Sequence, residues 1–133
     1  MFNIDHYAIS VKNMDKSVEF YKKLDFMTIK EWMSEDKNTH IVHMKNGSFI
    51  LEMFFYKDYN LLPAFVDSLN TDLKTLGSKH IGLCVDDLEV AANYLIEKEI
   101  ISSFPTIAPG RMGRPYFFIK DPNGIFVEII KKM

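Results

Sequence analysis

Cysteine is nearly missing from this 133-residue chain, where Cys84 stands alone. No intrachain disulfide can form, which suits a reducing cytoplasm. An excess of charge is missing too. Sixteen basic residues against eighteen acidic ones leave a net charge of −2. Neither a nucleic-acid backbone nor an anionic membrane is therefore an expected partner. No stretch approaches the ~20 apolar residues of a membrane span. The opening MFNIDHYAIS has no basic n-region and no long apolar run, so it does not read as a signal peptide. A phosphate-binding loop is also lacking: no strand-to-helix transition surrounds PGRMGRP, from Pro109 to Pro115.

What is present is ordinary for a soluble globular domain: 47% hydrophobic and 26% charged residues, enough to bury one core. Eight methionines and eleven phenylalanines suit a Phe-rich core or an adaptable pocket wall. Residues 4–11 alternate, with Ile4, His6, Ala8 and Ser10 on one face, and predict a strand. Asn13 or Asp15 caps a helix running to about Leu24. Three strands follow, Met27 to Met33, Thr39 to Lys45 and Ser48 to Tyr56, the last two joined by an Asn46-Gly47 turn. Tyr59 to Gly77 reads as a connector with a short helical pattern around Ala64 to Leu69. Then the pattern returns: a strand from Lys79 to Val85, a helix capped by Asp86 or Asp87 to about Lys98, and a short strand from Ile100 to Phe104. A loop rich in proline and glycine spans 105–115. Strands Tyr116 to Lys120 and Ile125 to Ile130 close the chain. The turn between them, Asp121-Pro122-Asn123-Gly124, has the residues such a turn demands.

The order is β-α-β-β-β twice. His6 corresponds to His80, Ile9 to Leu83 and Val11 to Val85; Glu52 corresponds to Glu128 and Ile50 to Phe126. Each half carries a histidine at the head of its first strand and a glutamate within its last. Glu128 sits in an otherwise apolar strand, where an ionised carboxylate needs a partner. Two halves packed about a pseudo-two-fold axis would present His6, Glu52, His80 and Glu128 to one cavity. Two nitrogens and two carboxylates suit Zn²⁺ or Ni²⁺, with Co²⁺, Mn²⁺ or Fe²⁺ as alternatives. Ser10 shares parity with His6 and is expected to line the site. Arg111 and Arg114 are candidates to clamp an anionic substrate group. His40 and His43, three apart on a strand, face opposite ways and read as solvated or structural. Cys84 reads as a small buried residue.

DHYAISVKNMDKSVEFYKKL (5–24), with Ser17, Phe20 and Tyr21 in an S-x-x-F-Y pattern, KHIGLCVDDL (79–88) and DPNGIFVEII (121–130) together resemble the vicinal oxygen chelate superfamily. That group includes glyoxalase I, bleomycin resistance proteins and extradiol dioxygenases. The resemblance covers essentially the whole chain. It implies an α+β fold of two tandem βαβββ modules, at about 1–58 and 78–133 around a connector at 59–77. They form one domain, a cupped mixed-sheet half-barrel with a metal between them. A homodimer is implied as well. Within the superfamily, a His-Glu-His-Glu ligand set is similar to that of the glyoxalase I branch.

The activity so implied is a metal-dependent lyase or isomerase. It would convert a hemithioacetal of a 2-oxoaldehyde through an enediolate, with Glu128 and Glu52 moving the proton. Glyoxalase I proteins carry an arginine and an asparagine for glutathione, and Ser10 and Tyr56 stand in their places here. The thiol is thus left open. An Fe(II) ring-cleaving dioxygenase using His6, His80 and Glu128 is one alternative. A metal-free drug-binding protein with a groove lined by Phe54, Tyr56 and Phe126 is another.

Overall fold

The structure is a computed structural model that describes residues 1–133. The backbone divides into two compact units, Met1–Leu61 and Leu62–Met133. Together they carry a mixed four-stranded sheet, a mixed three-stranded sheet and a few helices, an α+β fold.

In the first unit, β1 (His6–Ser10) runs parallel to β4 (Phe49–Tyr56). Strands β2 (Met27–Met33) and β3 (Thr39–Asn46) complete the order β1-β4-β3-β2. Helix α1 (Met14–Lys22) starts where Asn13 caps it, the Asn13 side chain accepting from Lys16 N at 3.0 Å. One face of the sheet is core: Ile9, Val11, Val42, Met44, Leu51 and Met53 are buried. They share that core with Phe20 and Tyr21 of α1 and with Leu24 and Phe26. Tyr21 is the hub, meeting Phe20 and Phe26 edge-on at 5.1 and 5.6 Å. Each such fully buried side chain contributes about 1.5–3 kcal/mol. Because alternate residues point to opposite faces, His6, Ala8, Ser10, His43, Glu52 and Phe54 share the face away from that core.

In the second unit, β5 (Ile81–Val85) runs parallel to β7 (Phe126–Lys131), and β6 (Tyr116–Lys120) pairs antiparallel to β7. A 3₁₀ turn at Ala64–Val66 and the short helix α2 (Leu69–Lys74) precede the sheet. Helix α3 (Leu88–Glu97) is capped by Asp87, whose side chain accepts from Glu89 N and Val90 N. Leu88, Ala92 and Leu95 are buried on this helix, as are Ile81, Phe117, Ile119, Val127 and Ile129 in the strands. The turn before β7 is built on Asp121, which is buried. Its Oδ1 accepts from Asn123 N and Ile125 N at 2.8 and 2.9 Å, while Gly124 takes φ +88°.

Three expectations need correction. Ile100 to Phe104 is not a strand, so the second sheet has three strands rather than four. Glu99 takes φ +57°, and Ile100 N and Ile101 N both turn back to Leu95 O, ending α3 instead of extending the chain. The β3–β4 turn centres on Gly47-Ser48, because Asn46 pairs with Phe49. The Asn46 side chain donates instead to Leu24 O. Cys84 is exposed, since it lies on the sheet face opposite the core residues of β5.

Candidate metal centre

His6 stands at the head of β1, and Glu52 lies mid-β4 in register with Ala8. His6 Nε2 lies 3.5 Å from Glu52 Oε1. The other ring nitrogen, Nδ1, bonds Asp5 Oδ2 at 2.7 Å. That bond is the main reason the His6 pKa is raised above its ordinary value; burial opposes it, and the charges of Glu52 and Asp5 add to it. With Nδ1 donating to Asp5, a neutral His6 turns the lone pair of Nε2 toward a carboxylate oxygen. Two acceptors facing one another call for a cation or a proton between them.

The second unit repeats the pair. His80 lies just ahead of β5 and Glu128 mid-β7, with Nε2 and Oε2 3.3 Å apart. Glu128 sits in register with Gly82 on one side and Phe118 on the other. A methyl on Gly82 would stand 3.4 Å from Glu128 Oε2, in van der Waals contact with that carboxylate. The ring of Phe118 meets His80 edge-on at 4.9 Å and Phe126 at 5.8 Å. His80 Nδ1 is buried without a hydrogen-bond partner.

Both separations are long for a charge-assisted hydrogen bond. They match the edge of a tetrahedral site with bonds near 2.1 Å, about 3.4 Å. No three His, Cys, Asp or Glu side chains form a ready-made cluster. The chain offers two matched pairs, each with one nitrogen and one carboxylate donor, a set that suits a borderline divalent metal.

The other predicted residues fall less closely. Ser10, Phe54 and Tyr56 share the face of Glu52, and the rings of Phe54 and Tyr56 stack at 6.4 Å. Arg111 is exposed in the loop between the Ala108–Tyr116 bridge residues. Arg114 is tied down, its Nε donating to Lys131 O at 2.8 Å. Gly110 shapes this loop: at φ +74° a Cβ there would come 2.0 Å from Arg114 O. His43 is the residue that sequence reasoning missed. Its Nε2 lies 2.5 Å from Glu52 Oε2, and the two are directly cross-strand. Strand parity carried the signal, since His43 and Glu52 share a face whether a two-residue turn falls at 46–47 or at 47–48.

Known proteins resemble this chain over most of its length. The chain is 27% identical to lactoylglutathione lyase of Schizosaccharomyces pombe over 98% of its own length, and it spans 48% of that protein. It is 26% identical to the mitochondrial methylmalonyl-CoA epimerase of Dictyostelium discoideum, covering 97% of this chain and 78% of the epimerase. A glyoxalase family protein from Enterococcus faecalis superposes with a TM-score of 0.74 at 26% identity, over 96% of both chains. The pattern of one superfamily matches residues 3–129, and the chain belongs to it: the Glyoxalase/Bleomycin resistance protein/Dioxygenase superfamily.

Proposed function

We propose that His6, Glu52, His80 and Glu128 hold one divalent metal, zinc or nickel before cobalt, manganese or iron, and that the protein is a glyoxalase I-like lyase or isomerase. The observation that carries this reading is the recurrence of one pair, a histidine Nε2 facing a carboxylate oxygen at 3.5 and 3.3 Å, at corresponding places in both units. Likeness to a lactoylglutathione lyase and to an epimerase supports it, since both names describe chemistry on small thioesters. The substrate class is a 2-oxoaldehyde–thiol hemithioacetal, or a related small molecule with two adjacent oxygens. Homodimeric assembly and a cytoplasmic location belong to the same proposal.

When bound, the metal supplies Lewis-acid polarisation of adjacent substrate oxygens, which acidifies the neighbouring C–H. The rest falls to the chain. Glu128, beside Gly82 and 3.3 Å from His80 Nε2, takes the proton from one carbon and returns it to the next. Glu52 stays anchored. Phe118 and Phe126 form an apolar wall on the Glu128 side. Ser10, Phe54, Tyr56 and Arg111 are the substrate contacts we propose, with Arg114 holding its loop to β7.

The test is an assay of methylglyoxal with several thiols in deuterated water. Formation of a thioester that carries solvent deuterium on the carbon beside its carbonyl is expected, because a carboxylate-held proton exchanges. Ring cleavage of a catechol by the iron-loaded protein, with no thioester from any thiol, would instead establish the dioxygenase alternative.

A further inference from the structure

We propose that His43 is a positioning residue for Glu52, so that the two carboxylates of the site differ in freedom and in role. This rests on the metal-binding reading above and deepens it. The two β3–β4 partners are directly opposed across the ladder, which brings their side chains together without strain. Nε2–H of His43 donates to Glu52 Oε2 at 2.5 Å. Glu52 thereby spends one oxygen on His43, and only Oε1 is left toward His6, at 3.5 Å.

The His43 and His6 rings lie 6.3 Å apart and 24° from parallel on either side of that carboxylate. A line of contacts results: Asp5 to His6, His6 to Glu52, Glu52 to His43. Its outer members fix the rotamers of its inner ones. A glutamate has three rotatable bonds, and ordering them before a ligand arrives removes that cost from binding. Glu128 has no such holder, because Phe118 occupies the cross-strand place.

The experiment is zinc titration of the metal-free full chain against a chromophoric chelator, with His43→Leu and His43→Gln beside the wild type. Visible spectra of the cobalt-loaded proteins and thermal midpoints of the metal-free ones accompany it. His43→Leu should weaken zinc binding by about 10-fold or more, as removal of outer hydrogen bonds to ligands does, and change the cobalt bands. His43→Gln, whose amide can still donate, should recover most of the affinity and of the spectrum. Wild-type affinity and unchanged bands in both variants would overturn the proposal, even with a lowered midpoint, and would leave the metal reading intact. Absence of zinc binding by the wild type would overturn both.

Discussion

In the first unit Asp5 holds His6 and His43 holds Glu52. In the second, Lys79 stands where Asp5 stands, Phe118 where His43 stands and Gly82 where Ala8 stands. The Lys79 ammonium turns away to Asp72 O and Thr75 O, leaving His80 Nδ1 without a partner. Two pairs with the same backbone positions are thus supported in opposite ways, one by charged hydrogen bonds and the other by an aromatic ring and a glycine. The two units thus share the places of the histidine and the glutamate but not the residues around them. On the proposed function the contrast also divides the work. The tethered pair suits a fixed anchor, and the untethered carboxylate suits a group that must move a proton.

Substitutions in either unit test that contrast. The largest effect is expected from Glu128→Gln, which should lower turnover by about 10²–10⁴-fold in steady-state assays. Glu52→Gln should act chiefly on metal retention. Next comes Phe118→His, which gives Glu128 the donor that Glu52 already has. A tethered, less basic carboxylate should lower turnover by about tenfold, the worth of one pKa unit, with metal content unchanged. Gly82→Ala should keep fold and metal while lowering turnover by a smaller factor, since its methyl stands 3.4 Å from Oε2. A loss of folding in that variant would refute the view that the glycine serves the carboxylate alone.

The helix caps extend the contrast to pH. Helix α1 is capped by Asn13, which does not titrate, and α3 by Asp87, whose pKa is lowered chiefly by the hydrogen bond from Val90 N. A lowered folded pKa means that the Asp87 contribution is complete above the ordinary carboxylate value of 3.8 and is lost as pH falls through the folded value. Amide exchange at Glu89 and Val90 should therefore rise, relative to Lys16, as pH drops below that range. Asp87→Asn should abolish the difference. The smallest effect is that of Asn13→Ala, about 1 kcal/mol of stability by denaturant titration.

Much of this was legible in the sequence for local reasons. The bounds of β2 at Met27 and Met33, and the caps at Asn13 and Asp87, each one of two candidates in the sequence, depend on neighbours a few residues away. The corresponding histidines and glutamates were legible because duplication leaves them at matching places. Ile100 to Phe104 was misread because apolar β-branched residues look like a strand whether or not a partner strand exists, and here α3's last turn claims their amides. Cys84 was misplaced because its residue type suggested burial, whereas its parity with Gly82 and Glu128 decides its face. His43 was weighed only against His40, its neighbour in sequence. Its true partner lies across the hairpin, where register rather than spacing brings side chains together.

Metal content by mass spectrometry on tag-free protein, wild type beside Glu52→Gln, tests the central claim most directly. Roughly one equivalent of zinc or nickel per site is expected in the wild type, in line with a four-donor site, and clearly less in the variant. Iron held equally well by both proteins, or no metal in either, would contradict it.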